Sequence, residues 1–150
     1  MNSDVSLGGQ RLLLFGGSGA IGGAIDQRFH EEGWQTVGVS RSARSDGASV
    51  RWDPISPKEG AADPLDRNPA IDALRALGPF DAVCWAQGVN LNDSVYDFDA
   101  PKHENAYRVN VLYVLNSLHI LLLEKLLRKP ARLCVISSIW QNLARQSKLS

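Results

Sequence analysis

Phe15-Gly16-Gly17-Ser18-Gly19-Ala20-Ile21-Gly22 follows an apolar run, Leu12-Leu13-Leu14, and opens a helical pattern at Ala20. A strand that passes through glycines straight into a helix leaves unpaired backbone N–H groups and the positive end of a helix dipole at one place. That place suits a phosphate. Gly17, Gly19 and Gly22 give the spacing G-x-G-x-x-G, and Gly16, Gly19 and Gly22 give the looser G-x-x-G-x-x-G. Both registers imply a tight turn, close backbone approach to a pyrophosphate and tight helix-on-strand packing at the last glycine. The plain alternative is a flexible connecting turn. With a strand before it and a helix after it, the whole loop, Ser18, Ala20 and Ile21 included, reads as a dinucleotide-binding segment.

Outward from this loop the chain alternates strand and helix patterns. Residues 10–15 read as a first strand and 20–32 as a helix, with Ala24, Ile25 and Phe29 at helical spacing and Gly33 as its stop. A second strand follows at 35–40, a polar loop at 42–47 and a short third strand at 50–52, ending at Asp53-Pro54. The proline-rich stretch 55–67 has no sustained period and reads as surface loop. Asn68-Pro69 is an N-cap with proline at the first helical position, opening a short helix to Leu77 that Gly78-Pro79 ends. A fourth strand spans 80–86, and Gln87-Gly88 turns away from its carboxyl end. A long helix is expected over 101–127, and a fifth strand over 131–136 ends at Ser137-Ser138.

Strands joined by helical crossovers predict a parallel sheet covered on both faces. With right-handed connections the expected fold is a Rossmann-type, doubly wound α/β/α domain of strand order 3-2-1-4-5, in one domain over 1–150. Ligand then belongs at the strands' carboxyl ends, where the order reverses. The polar features fall there: Ser40-Arg41-Ser42, Asp53, Gln87-Gly88 and Ser137-Ser138.

Composition bounds the function. The 150 residues are 44% hydrophobic and 21% charged, with a formal net charge of zero, so no electrostatic case exists for nucleic acid or an anionic membrane surface. The start, Met1-Asn2-Ser3-Asp4, has no basic region or long apolar stretch, which points to the cytoplasm. Cys84 and Cys134 each sit in an apolar strand-like run and are expected to be buried, free thiols. No metal-ligand spacing occurs. The second half of the long helix is apolar nearly all round, so its outer face needs a cover. Asn110, Asn116, His119, Glu124 and Lys125 interrupt it too often for a membrane span, and a second subunit is the expected cover, making a homo-oligomer through 101–127.

The end of the second strand bears on cofactor choice. An NAD site places an acidic residue there for the ribose hydroxyls, whereas a 2′-phosphate repels a carboxylate and calls for a cation. Here the position reads Ser40-Arg41. Arg41 can clamp a phosphate with a charge-assisted fork while Ser40 and Ser42 add donors, so NADP(H) is expected over NAD(H).

These residues resemble the short-chain dehydrogenase/reductase family. The 15–22 loop is similar to that family's TGxxxGxG motif, with Phe15 at the threonine and Ala20 at the middle glycine. Residues 81–88 stand in place of the strand ending in NNAG, of which a small residue and Gly88 are kept. Arg108-Val109-Asn110-Val111 resembles the helix segment carrying the active-site asparagine, and Val135-Ile136-Ser137-Ser138 the strand carrying the active-site serine.

The resemblance implies that Asp53 contacts the adenine ring, that Asn110 supports a proton relay and that Ser138 orients a carbonyl or alcohol oxygen on a small-molecule substrate. It further implies a tyrosine and lysine spaced YxxxK, about thirteen residues beyond Ser138. None of Tyr96, Tyr107 and Tyr113 has a lysine four residues later, and all precede the serine. Two functions follow. One is an NADP(H)-dependent carbonyl reductase or alcohol dehydrogenase, inactive as these 150 residues alone. The other is a non-catalytic nucleotide-binding or subunit-interaction module.

Overall fold

A computed structural model describes residues 9–41, 49–56 and 68–138. Five strands, β1 (Arg11–Phe15), β2 (Gln35–Ser40), β3 (Ser49–Arg51), β4 (Phe80–Trp85) and β5 (Leu127–Val135), form one parallel sheet of order β3-β2-β1-β4-β5. This is the order expected from the sequence. The central strand carries no polar alternation because both of its faces are covered. Leu13 and Phe15 enter one core with Val37, Val39, Val83 and Trp85, while Leu12 and Leu14 enter the other with Ala82 and Cys84.

Helix α1 (Ala20–Glu31) packs Ile25 and Phe29 on the second face; Ala24 is exposed. On the first face lie α2 (Pro69–Leu77) and the long helix made of α3 (Ala100–Tyr107), a π-helical turn (Arg108–Leu112) and α4 (Tyr113–Leu123). The Asn68 side chain accepts from the Ala70 N–H at 3.1 Å, so the cap read from Asn68-Pro69 is in place. Ile71 and Leu74 of α2 and Tyr113 and Leu121 of α4 reach the core.

The long helix stops at Leu123, four residues short of the expected end. Lys125 adopts the left-handed conformation at φ 55°, its N–H donates to the Leu122 carbonyl, and the Leu126 N–H donates to the Leu121 carbonyl. This is a Schellman stop made without glycine. Leu126 is buried beside Leu121, and Glu124 pairs with Arg75 of α2. The same geometry ends α1 at the glycine the sequence advertises: Gly33 has φ 80°, its N–H donates to His30, and the Trp34 N–H donates to Phe29.

Strand β5 therefore begins at Leu127 rather than 131. The step from Phe80 to Ala82 on β4 faces the step from Leu127 to Arg132 on β5, a bulge that holds Pro130 where its missing N–H costs no ladder bond. Cys84 is buried as expected, but Cys134 is exposed, because β5 is the last strand of the sheet and the described residues leave its faces open.

Val111, Leu115, Leu122 and Leu123 project from the long helix into solvent. Ala100–Leu123 is long and apolar enough to cross a membrane by length and composition. Its Tyr113, Ser117 and Leu121, however, are buried in the body of the domain.

Candidate functional site

The first wall of the site is backbone. Gly16 lies at φ 79°, and a Cβ there would stand 2.6 Å from the backbone nitrogen of Gln87, so β1 and β4 diverge with their chains in contact. A Cβ on Gly22 would stand 2.1 Å from the Gly16 carbonyl oxygen. Only glycine lets α1 press so close to the turn. The Gly19 N–H donates to the Gly16 carbonyl at 3.1 Å, and Gly19 is the N-cap residue of α1. It has no side chain to cap the helix, and the first turn holds no acidic residue. The orphan N–H groups and dipole of α1 are therefore open to an anion, with Ser18, Gly19, Ala20 and Ile21 exposed around them. Gly17 lies against the Leu14 side chain beneath them.

Hydrogen bonds carry the sheet past its strand ends and line up the second wall. The Ala86 N–H donates to Phe15, Ile136 to Trp85 and Trp52 to Ser40, each at 2.9 Å. Arg41 follows β2 with an exposed side chain. Its carbonyl accepts from Arg51 Nε at 3.2 Å, so a second guanidinium stands next to it. Arg51 has no signal in the sequence, because only strand pairing brings β3 to that point. Ser42 lies outside the described residues. Asp53 is half-buried, and one carboxylate oxygen accepts from the Ile55 N–H at 3.2 Å, closing the turn after β3. Burial raises the Tyr113 hydroxyl above its ordinary pKa, and the nearby Asp53 carboxylate adds to the rise while Arg41 opposes it.

Asn110 lies in the π-helical turn, where an extra residue re-aims side chains. Its Oδ1 accepts from the Val89 N–H at 2.8 Å and its Nδ2 donates to the Val89 carbonyl at 2.9 Å. A Cβ on Gly88 would meet that same Oδ1 at 3.3 Å. Asn110 thus pins the loop leaving β4. Beyond that loop, Asp93 is buried with its carboxylate 3.2 Å from His103 Nε2, and Phe98 stacks on the His103 ring at 4.7 Å. Gln87, which the strand end presents beside Gly16, has both amide heteroatoms buried without a hydrogen-bond partner. Ser138 is exposed at the carboxyl end of the fifth strand, two residues past its last ladder bond.

Beneath the crevice the floor is aromatic. Phe15 and Trp85 are register partners on β1 and β4 and stack with centroids 5.7 Å apart and planes 6° apart. Tyr113 meets Phe15 edge-on at 5.7 Å, and Trp52 tilts against it at 5.9 Å. Trp85 Nε1 donates to Ser117 Oγ at 2.8 Å, which donates in turn to the Tyr113 carbonyl at 2.7 Å.

A parallel sheet of order 3-2-1-4-5 is also the arrangement of known structures. The chain superposes on a short-chain dehydrogenase family protein from Francisella tularensis with a TM-score of 0.70 at 17% identity, covering 94% of this chain and 56% of that one. The fold is that of the short-chain dehydrogenase/reductases. A short-chain dehydrogenase/reductase from Serratia marcescens gives 0.70 at 20% identity, covering 94% and 63%, and an aldohexose dehydrogenase from Thermoplasma acidophilum gives 0.71 at 16%, covering 93% and 53%. The chain thus spans little more than half the length of these structures. No protein-family model and no curated protein matches the sequence.

Proposed function

We propose that this chain is the NADP(H)-binding part of a short-chain dehydrogenase/reductase acting on a small carbonyl or alcohol substrate. The observation that carries the reading is the cradle at Gly16 and Gly22, where backbone approach leaves no room for a side chain beside an uncapped helix end. The residues fit a dinucleotide: the 16–22 loop would hold the diphosphate, and Arg41 with Ser40 and Ser42 would hold the 2′-phosphate. Asp53 keeps one carboxylate oxygen beyond its turn contact for the adenine ring. Gln87 and Gly88 border the middle of the dinucleotide, and the unpartnered Gln87 amide offers it a donor and an acceptor.

When bound, a nicotinamide cofactor supplies hydride transfer. The chain's own part is to hold, orient and exclude. Ser138 orients the substrate oxygen at the end of β5, and Asn110 keeps the β4 exit loop open beside it. Proton transfer needs a group such as the YxxxK tyrosine, and these 150 residues contain no such pair. General acid catalysis contributes about 10²–10⁴-fold, so these residues alone are expected to give no measurable turnover. A second reading, a nucleotide-binding or interaction module, rests on the apolar side chains that the long helix leaves exposed. The protein is assigned to the cytoplasm, without nucleic-acid or membrane partners, as a homo-oligomer through the exposed apolar row of the long helix. Sedimentation as a clean monomer would overturn that assembly.

Titration with NADPH and NADH followed by tryptophan fluorescence tests the main reading. Arg41→Ala is expected to weaken NADPH binding at least tenfold, about the 1.5–3 kcal/mol of a charge-assisted contact, and to leave NADH nearly unchanged. Equal loss for both would remove the phosphate clamp. Failure of both nucleotides to bind the unaltered protein would remove the dinucleotide itself.

A further inference from the structure

The α1 face of the sheet holds a second feature that the nucleotide site does not use. Cys84 and Cys134 are register partners on the parallel strands β4 and β5, so their side chains leave the sheet on the same face. Both are free thiols, and both line one cavity of about 550 Å³ between α1 and the β4–β5 edge. The rest of its wall is mainly apolar, including Leu12, Ile25, Phe29 and Trp34, with the Phe29 and Trp34 rings edge-to-face at 5.0 Å. Cys84 is buried at the floor, and Cys134 is exposed at the open side.

Neighbouring strands stand about 4.7–4.9 Å apart, and parallel side chains keep roughly that spacing at Cβ. A disulfide draws the Cβ atoms to about 3.8 Å, which would pinch the strands together. A single larger atom between the two sulfurs needs no such movement. Thiolates favour soft centres, and the apolar wall offers space to an aromatic substituent.

We infer that Cys84 and Cys134 form a bidentate dithiol site for a trivalent organoarsenical, its aryl group seated in the apolar cavity between α1 and β4–β5. With an arylarsine oxide the step balances without redox change. The arsenic–oxygen bond and two S–H bonds break, two arsenic–sulfur bonds form, and the oxygen leaves as water with both thiol protons. Burial and the adjacent Cys134 sulfur push the Cys84 thiol up to about 11, which slows its own attack, so the exposed Cys134 bonds first and Cys84 closes the chelate. Cys84 therefore enters as the thiol, and its proton leaves with the water once the first arsenic–sulfur bond holds the arsenic beside it.

The probe is phenylarsine oxide on the full chain, read by intact mass. One equivalent is expected to add, to resist a large excess of 2-mercaptoethanol and to be released by 2,3-dimercaptopropanol. Cys134→Ser changes an exposed residue and leaves the core intact. It should cut the adduct lifetime under 2-mercaptoethanol by about 10²-fold, the advantage of a second attachment at high effective concentration. Cys84→Ala should do the same. The chain has only two cysteines. Labelling of the double variant, or a wild-type adduct washed off as fast as that of Cys134→Ser, would overturn the site.

Discussion

The two walls of the crevice are made of different material. The β1 wall is main chain: Gly16, Gly19 and Gly22 act through what they lack, and the groups left open to an anion are N–H groups that every residue carries. The β4–β5 wall is side chain: the Asn110 amide on Val89, the unpartnered Gln87 amide and the Ser138 hydroxyl at a strand end. Such a difference sets how each wall tolerates change. A backbone cradle fails at a few glycines and is otherwise indifferent to sequence. A side-chain wall can be re-dressed residue by residue.

The sharpest way to break the comparison is Gly22→Ala. Its Cβ would stand 2.1 Å from a backbone oxygen that has nowhere to go, and overpacking against main chain costs about 3 kcal/mol or more. The expected result is a melting temperature lower by roughly 10 °C and no nucleotide binding. An unchanged melting curve would mean that α1 is not pressed on the turn.

Asn110→Ala probes the other wall and should cost less. It removes two exposed hydrogen bonds to Val89, about 1–2 kcal/mol by chemical denaturation. Asn110→Asp keeps the acceptor for the Val89 N–H but sets an oxygen against the Val89 carbonyl, so it should be no better than alanine. Recovery by aspartate would show that only the first bond matters.

The smallest effect contrasts the two helix stops. Lys125→Gly relieves a left-handed residue, worth about 1–2 kcal/mol, and loses part of that to the greater freedom of unfolded glycine, leaving a gain of about 0.5 kcal/mol. Gly33→Ala should lose a similar amount, since nothing crowds its Cβ and only the backbone angle resists. Denaturation midpoints of the pair, moving in opposite directions, check it.

These stops also show why the sequence was legible in some places and not in others. Gly33 announces the end of α1, and Gly16 to Gly22 announce the cradle, because backbone demands that only glycine meets are written in the residue itself. The end of α4 depends on Lys125 accepting a strained angle so that Leu126 can reach Leu121, and on Arg75 meeting Glu124. Those are tertiary rewards, invisible to periodicity, and the reading overran to residue 127. The same limit applies to Cys134: its apolar run reads as core, but burial depends on whether another element lies beyond β5. Arg41 and Asp53 are placed at strand ends by the sequence pattern alone, whereas the position of Arg51 beside Arg41 depends on the pairing of β3 with β2.

The aromatic floor has an optical consequence. Trp85, stacked on Phe15 and held by Ser117, sits in a rigid chiral setting beneath the crevice. Such a chromophore gives strong near-ultraviolet circular dichroism, and its emission overlaps the absorption band of a reduced nicotinamide. The protein therefore carries an internal gauge of side-chain order that would, if the proposed dinucleotide binds, report its occupancy at a separate wavelength with no label attached.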